Sequence, residues 1–463
     1  MPKPPRTRWI ILKLGADSTK YASRTVIQSL WSSESTNLMK VLLIGGGGRE
    51  HALAWKLAAS PLVTELFAAP GNPGTAQFAE NVAIDVMDFD AIEKFVRKAG
   101  IQFVVIGPED PLAGGLTDRL AAAGVKVFGP TKEAAQMESD KWFAKEMMRQ
   151  QSIPTADARS FTDAAAAEEY VRVRDEPCVI KATGLAKGKG VTVCARSSDA
   201  MDTIDRIMRK KEFGGAGTRI IIEEILHGPE CSILAFVDRR NIYMMESAQD
   251  HKPIDDGDTG PMTGGMGAYT PTPVVTDAIL STIEREILVP TVDGLLREGI
   301  EYRGILYAGL MLTSNGPRVL EFNCRFGDPE TQPLMMRLKS DLMEVMLAVA
   351  DGRLDEVELK WDPRPALSVV ATSMGYPGKY TAGVPINGIA KADALPDVKV
   401  FHSGTKFDAD GRGVVTDGGR VLSVTALGNT IAEAQFRAYE AMKLIEFEGM
   451  HYRRDIGHWA VGR

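Results

Sequence analysis

Four short apolar runs, at residues 40–44, 65–69, 81–84 and 102–106, constrain the fold of this chain more than any other feature. Each is too short for an ordinary helix and too uniformly apolar for a half-solvated strand. The stretches between them, 50–59 and 91–99, carry helical periodicity. Strands buried on both faces and joined by crossover helices form a parallel sheet covered on two sides. Residues 39–140 are therefore predicted to be a doubly wound α/β domain.

The pattern then changes. A helix over 141–150 leads through Pro154 to a unit in which strands 178–182 and 190–194 flank a Gly/Lys loop, followed by a helix over 199–211 and a strand over 219–224. Further strands end at Asn323, with a long polar, glycine-rich loop at 247–269 and helices near 277–298 and 331–350. The prolines of Trp361-Asp362-Pro363-Arg364-Pro365 mark a linker into a small α/β tail. A chain of 463 residues accommodates about three domains. The expected division is 39–140, 141–360 (with a mobile subdomain at about 160–227) and 361–463, in a mixed α/β and α+β multidomain fold.

Residues 1–38 hold Lys3, Arg6, Arg8, Lys13, Lys20 and Arg24 against Asp17 and Glu34, with three prolines near the start. A transit peptide has this composition, but the globular pattern begins abruptly at Met39, which could itself initiate the chain. An unstructured extension is the preferred reading. The net charge of −7 argues against a general nucleic-acid binder and leaves room for a local basic pocket. Cys178, Cys194, Cys231 and Cys324 show no C-x-x-C spacing and read as reduced, buried thiols of a cytoplasmic protein. No apolar run reaches the eighteen or so residues needed to span a bilayer.

Three segments carry chemistry. In Leu320-Glu321-Phe322-Asn323-Cys324-Arg325, strand alternation puts Glu321 and Asn323 on one face, with Arg325 continuing the period. Two oxygen donors suit a hard cation, and a guanidinium beside them suits a transferring phosphate. Gly45-Gly46-Gly47-Gly48-Arg49-Glu50-His51 follows a strand and opens a helix, so its amides could cradle an anion. It lacks the third glycine of a dinucleotide fingerprint, which weakens a nicotinamide-dependent oxidoreductase reading. Lys181 sits within an apolar strand before the Gly/Lys loop that contains Lys187 and Lys189, and such a hairpin can close over a polyphosphate. Glu223-Glu224-Ile225-Leu226 ends another strand, with Glu230 close behind.

The hairpin, the E-E-x-L hinge and E-F-N-C-R together resemble ATP-grasp enzymes. With G-G-R-E-H-A, G-P-E-x-P-L, S-A-Q-D-H-K, T-G-G-M-G-A-Y and E-F-N-C-R-F-G-D-P-E-T-Q in this order, the chain from Met39 nearly to its end resembles the phosphoribosylamine glycine ligase (glycinamide ribonucleotide synthetase) family. The resemblance implies an ATP-grasp core in 141–360 and ATP as co-substrate. It also implies ligation of glycine to 5-phosphoribosylamine through glycyl phosphate, in purine biosynthesis.

It further implies that Lys141, Lys181 and Lys189 contact phosphates, that Glu223, Glu224 and Leu226 border adenine, and that Glu230 holds ribose. Glu321 and Asn323 would hold Mg²⁺ or Mn²⁺, without the further carboxylate that many relatives place on the preceding strand. Gly47, Gly48, Arg49, Pro108 and Glu109 would bind phosphoribosylamine. Asp250, His251, Lys252, Gly264, Gly265, Met266 and Gly267 would line the acyl-acceptor region, with Arg325 and Lys181 catalytic. Met262, Thr183 and Lys187 depart from the family pattern, the last two on what is expected to be a tolerant lid tip. Another carboxylate–amine ligase of the same fold and a non-catalytic nucleotide binder are the rival expectations. Partners are expected to be small molecules alone, with no nucleic acid or membrane, and the protein a monomer or weak homo-oligomer. No general base for the amine is visible in the sequence.

Overall fold

In the computed structural model, residues 38–186 and 189–462 are described. The expectations for residues 1–37 and for Lys187 lie outside these residues. The first sheet contains β1 (Met39–Gly45), β2 (Val63–Pro70), β3 (Glu80–Asn81), β4 (Phe103–Ile106) and β5 (Lys126–Phe128) in the order β3-β2-β1-β4-β5. All four pairings are parallel. The third strand is shorter than its apolar run: Val82 returns one amide to Ala68, and pairing then stops. The crossover helix Phe89–Ala99 is capped by Asp88, whose side chain accepts the Ala91 amide, and ends at Gly100 in the left-handed region at φ 68°. Strand order reverses at β1, so the crevice beyond the carboxyl ends of β1 and β4 is the place where such sheets bind ligands. Gly45–Gly48 and Gly107-Pro108 open onto it.

The second unit is an antiparallel sheet of β6 (Ala158–Phe161), β7 (Cys178–Ala182), β8 (Val191–Cys194) and β9 (Ile220–Glu223), ordered β6-β9-β7-β8. The third contains β10 (Glu230–Asp238), β11 (Asn241–Met244), β16 (Arg303–Thr313) and β17 (Gly316–Asn323), ordered β11-β10-β16-β17. Its inner face packs Ile233, Leu306, Leu310 and Phe322 against the helices Lys141–Gln150 and Val289–Arg297. All four cysteines are free and buried. No helix among the described residues is long and apolar enough to cross a membrane.

Two expectations need correction. The segment 247–269 is not a loop but holds four short strands: β12 (Gln249–Asp250), β13 (Pro253–Asp255), β14 (Thr259–Met262) and β15 (Gly267–Thr270). β13 and β14 form a ribbon of their own. β12 and β15 join β18 (Ala366–Thr372), β19 (Val398–His402) and β22 (Arg420–Leu427) in the order β12-β15-β18-β22-β19, while β20 (Thr405–Phe407) and β21 (Val414–Thr416) make a second ribbon. The C-terminal sheet thus crosses the boundary expected at residue 361. Pairing between segments a hundred residues apart leaves no local periodicity to read. The helix expected over 331–350 is two, Thr331–Arg337 and Leu342–Asp351. Asp341 starts the second by accepting the Met343 and Glu344 amides, and Arg337 ties off the first on the carbonyls of Asp362 and Arg364.

Candidate active site

β17 delivers Glu321 and Asn323 to the edge of the crevice, opposite Gly309 and Tyr307 of β16. The strand ends at Asn323, so Arg325 sits in the following turn and does not continue the strand period. There its guanidinium is held by Glu109 at 3.2 Å, Glu138 at 2.9 Å, Asn323 Oδ1 at 3.3 Å and the Phe326 carbonyl at 3.2 Å. These partners fix its plane and hold its charge. Burial alone would raise the Glu321 carboxyl, but Lys141, Lys181, Lys252 and Arg325 together hold it below the usual carboxylate range. Three of these cations are also paired with other carboxylates, Lys181 with Glu223, Lys252 with Glu230 and Arg325 with Glu109 and Glu138, so the cluster is a network of alternating charge in which a polyphosphate can exchange for a carboxylate partner. Glu109 shows the same balance: burial is overcome by Arg325 and Arg49, and its carboxyl falls to about 2.

Lys181 on β7 is buried and donates to the Leu320 carbonyl at 3.0 Å and to Glu223 at 2.8 Å. Lys145, one turn into its helix, reaches the other Glu223 oxygen at 3.0 Å. The Glu223 side chain is therefore a buried counterion for two ammonium groups, leaving only its backbone to border a base. Glu224 is turned outward, bridging Arg318 at 2.8 Å and the Asp157 amide at 3.0 Å. Leu226 lies half-buried between β9 and β10. Glu230 is paired with Lys252 at 2.6 Å, so the residue expected at ribose and the one expected at the acceptor meet each other. Lys189 Nζ donates to the Pro377 carbonyl at 3.1 Å, carrying the hairpin across to the C-terminal region. Thr183 is not at the lid tip but buried at its base, where its carbonyl accepts the Lys141 amide at 2.9 Å. Met262 is 51% exposed on β14.

In the glycine loop, Gly47 caps the helix Gly48–Leu57 and its amide donates to Glu50 Oε2 at 2.7 Å. Glu50 Oε1 accepts from Arg49 Nε at 2.6 Å, and Arg49 Nη1 donates to the Phe326 carbonyl at 3.0 Å. The Glu50 carboxylate lies in a nest of glycines: a Cβ on Gly45, Gly47 or Gly107 would stand 2.7, 2.9 or 2.1 Å from it. An anion already occupies the amide that a dinucleotide's pyrophosphate would use, which removes the oxidoreductase reading. His51 is buried and accepts the His402 amide at 2.8 Å. Pro108 caps the helix Glu109–Gly114 and so points Glu109 at Arg325.

The acceptor segment divides. Asp250 and Lys252 face the cluster, with Lys252 Nζ 3.6 Å from Asp250. His251 and Met266 are fully buried, and the structure places both in the packing beneath it. His251 stacks on Trp459 with ring centroids 4.0 Å apart, and its Nε2 accepts the Gly457 amide at 2.9 Å. That bond puts the ring proton on Nδ1, facing Asp258 at 3.5 Å. His251, Asp258 and His458 approach as three donors would around a metal, but the protonated Nδ1 has no lone pair to give. Gly264 and Gly265 are tied to Arg420 through the Gly264 carbonyl at 2.8 Å, and Arg420 also reaches the Asp328 carbonyl at 2.6 Å. A Cβ at Gly267 would strike the Ser368 carbonyl, so this glycine serves the β15–β18 contact.

Sequence reasoning missed Lys145, Glu50, Glu138, Asp328, Glu330, Tyr307 and Arg420. Glu50, Asp328 and Glu330 lie inside motifs given above, the last two as acids on either side of Pro329, and could have been found there. The others sit on helices or strands where a charged residue reads as solvated until its partner is seen.

A lid sheet closing on a second α+β unit, with lysines on both and an acid–amide pair on the strand between, defines an ATP-grasp enzyme. The biotin carboxylase domain of 2-oxoglutarate carboxylase from Hydrogenobacter thermophilus shares this fold at a TM-score of 0.69 and 14% identity, covering 90% of this chain and 92% of that one. The chain belongs to the phosphoribosylglycinamide synthetase family, matching its N domain over residues 39–138, its ATP-grasp (A) domain over 139–331 and its C domain over 366–459. It is 52% identical over 428 residues to the phosphoribosylamine–glycine ligase of Rhodopirellula baltica, covering 91% of this chain and 98% of that protein. The crystal structure of the same ligase from Thermotoga maritima superposes with a TM-score of 0.78 at 33% identity, covering 90% of this chain and all of that one.

Proposed function

We propose that this chain uses ATP to ligate glycine to 5-phosphoribosylamine, giving glycinamide ribonucleotide, ADP and phosphate in purine biosynthesis. The observation that carries this reading is the ionised Glu321, set at a strand end among Lys141, Lys181, Lys252 and Arg325, in a chain that spans 98% of a ligase of that name. Glycine's carboxylate is a poor acyl donor, so the terminal phosphoryl group of ATP is passed to it first. Lys141 and Lys181 hold the phosphates. Arg325, fixed by Glu109 and Glu138, holds the glycine carboxylate in line with them, and charge stabilisation by positioned groups lowers the barrier. Arg49, Gly47, Gly48, Pro108 and Glu109 border the pocket for the sugar phosphate, and the lid hairpin shields the acyl phosphate from water.

The ionised Glu321 and the Asn323 amide oxygen form an all-oxygen donor pair that fits Mg²⁺ or Mn²⁺. When bound, the ion neutralises phosphate oxygens during transfer. A monomer or weak homo-oligomer working in the cytoplasm completes the reading, with four free cysteines in support.

The test is an isotope count. Glycine labelled with heavy oxygen in its carboxylate should pass one label into phosphate for each amide formed, read by mass spectrometry. Unlabelled phosphate beside stoichiometric amide would exclude the acyl phosphate, and no amide at all would exclude the ligase.

A further inference from the structure

Glu330 is a buried acid to which the reading above gives no task. It precedes the helix Thr331–Arg337 and is 4% exposed. Its Oε1 accepts the Tyr307 hydroxyl at 2.9 Å, and Tyr307 shares a second hydrogen bond with Ser232 Oγ at 2.7 Å. Gly327 makes room for the other oxygen, since a Cβ there would stand 2.5 Å from Oε2. The charged and titratable groups that face it come from every surrounding element: Asp250 from β12, Lys252 just beyond it, Tyr307 from β16, Arg325 from the turn after β17, and Arg420 from β22. Lys252 and Arg325 are also two of the four cations around Glu321. Glu330 therefore borders the same cluster that activates the acyl donor.

We propose that Glu330 is the general base that takes the proton from the attacking amine as the amide forms. The amine nitrogen's lone pair makes the new C–N bond at the glycyl carbonyl. The bond from that carbon to the bridging oxygen breaks, and phosphate leaves with the electron pair. The nitrogen, cationic after attack, gives one proton to the Glu330 carboxylate, which returns it to solvent as product departs. No other reactant is needed.

The remaining candidates are otherwise engaged, Asp250 with Lys252 at 3.6 Å and Glu138 with Arg325 at 2.9 Å and the Cys324 amide at 2.7 Å. Glu50 holds Arg49 and the Gly47 amide, Glu321 lies among cations, and Glu109 is held at about 2 by Arg325 and Arg49 against its burial, too weak a base for this proton. His51 and His251 are sealed in packing with a ring nitrogen on a backbone amide. Burial and the nearby Asp250 charge raise the Glu330 carboxyl to about 7, against the Tyr307 hydrogen bond that lowers it. A base poised there is ionised in useful fraction at neutral pH and still accepts a proton readily.

The proposal rests on the ligase reading, and the test separates the two. Glu330→Gln keeps the size of the side chain and an acceptor for Tyr307. With ATP, glycine and freshly generated phosphoribosylamine, its turnover should fall at least about a hundredfold, with KM for ATP and glycine little changed and the acidic limb near neutrality gone from the pH–rate profile. Hydroxylamine, whose adduct loses its proton to water unaided, should still trap glycyl phosphate as the hydroxamate at nearly the wild-type rate. Normal turnover, a retained limb, or loss of hydroxamate along with amide would overturn the assignment. Wild-type enzyme that makes neither product would instead overturn the ligase reading. Tyr307→Phe is the second arm and does not depend on the Gln variant folding. Removing the hydrogen bond that lowers the Glu330 carboxyl should move the acidic limb to higher pH, and a limb that stays in place would count against Glu330.

Discussion

One carboxylate between two ammonium groups makes Glu223 the side chain on which the lid's attachment depends. Lys145 and Lys181 are buried at its two oxygens, and burial lowers the Lys145 ammonium while Glu223 raises it. Removing the shared anion leaves two buried cations facing each other. Glu223→Ala should cost about 3–5 kcal/mol of stability, measured by urea unfolding. An unchanged midpoint would mean that water already screens the pair. The catalytic residues should behave differently. Lys181→Ala leaves Glu223 with Lys145, and Glu321→Ala leaves Lys181, Lys252 and Arg325 with their other partners Glu223, Glu230 and Glu138, so both should keep the fold while turnover drops about a hundredfold or more. Steady-state kinetics beside circular dichroism checks this, and near-normal turnover in both would remove the proposed ATP site.

Among the elements, the helix Gly48–Leu57 is seated by Glu50 within its glycine nest, and the nest is intolerant of a methyl group. A Cβ at Gly107 would stand 2.1 Å from Glu50 Oε1. Gly107→Ala should destabilise by about 1–3 kcal/mol, as overpacking does, and raise KM for phosphoribosylamine more than for ATP. Gly215→Ala, where nothing lies within 4 Å, is the neutral control in the same melt. The same helix meets β19 through His51 and His402, both buried and both lowered chiefly by burial, His402 to about 4. A histidine kept neutral in the fold binds its proton only in the unfolded chain between pH 4 and 6.5, so stability rises with pH across that window. The His402 contribution is complete above about pH 6.5 and is lost as pH falls toward 4. It amounts to about 3 kcal/mol, and His402→Gln should flatten that part of the urea-midpoint profile.

These elements also show what a sequence can disclose. The parallel sheet, the helix Lys141–Gln150 and the β7–β8 hairpin were legible because local periodicity encodes them. Glu321 and Lys181 stood out because charged residues inside apolar strands need a reason to be there, whereas the strand period that pointed to Arg325 ends at Asn323 and the residue reaches the cluster from the following turn. β12 and β15 were not, since their partners come from β18. The pairing of Glu230 with Lys252 and the burial of His251 beneath Trp459 were equally hidden, because tertiary neighbours decide whether a charge or a ring faces a ligand or the core.

At the scale of the whole molecule, the acceptor segment is stitched into the C-terminal sheet. β15 pairs with β18 along its length, Arg337 is anchored on Asp362 and Arg364, and Arg453 bridges Asp258 and the Pro253 carbonyl. A chain ending at Lys360 should therefore fail to give a working ATP-grasp core. Tyr269 and Met266, now fully buried, would be bared, and dye binding together with gel filtration should report an expanded or aggregating species. A monomeric fragment that still binds ATP would show that the sheet only decorates the core. The same stitching orders events during synthesis. Asp250 and Lys252 leave the ribosome long before β22 and Trp459, so the nascent protein carries its phosphate-binding lysines for some time without a finished acceptor pocket. By the same prediction it should not make a reactive acyl phosphate in that interval, and its activity should arrive only when the last strands close.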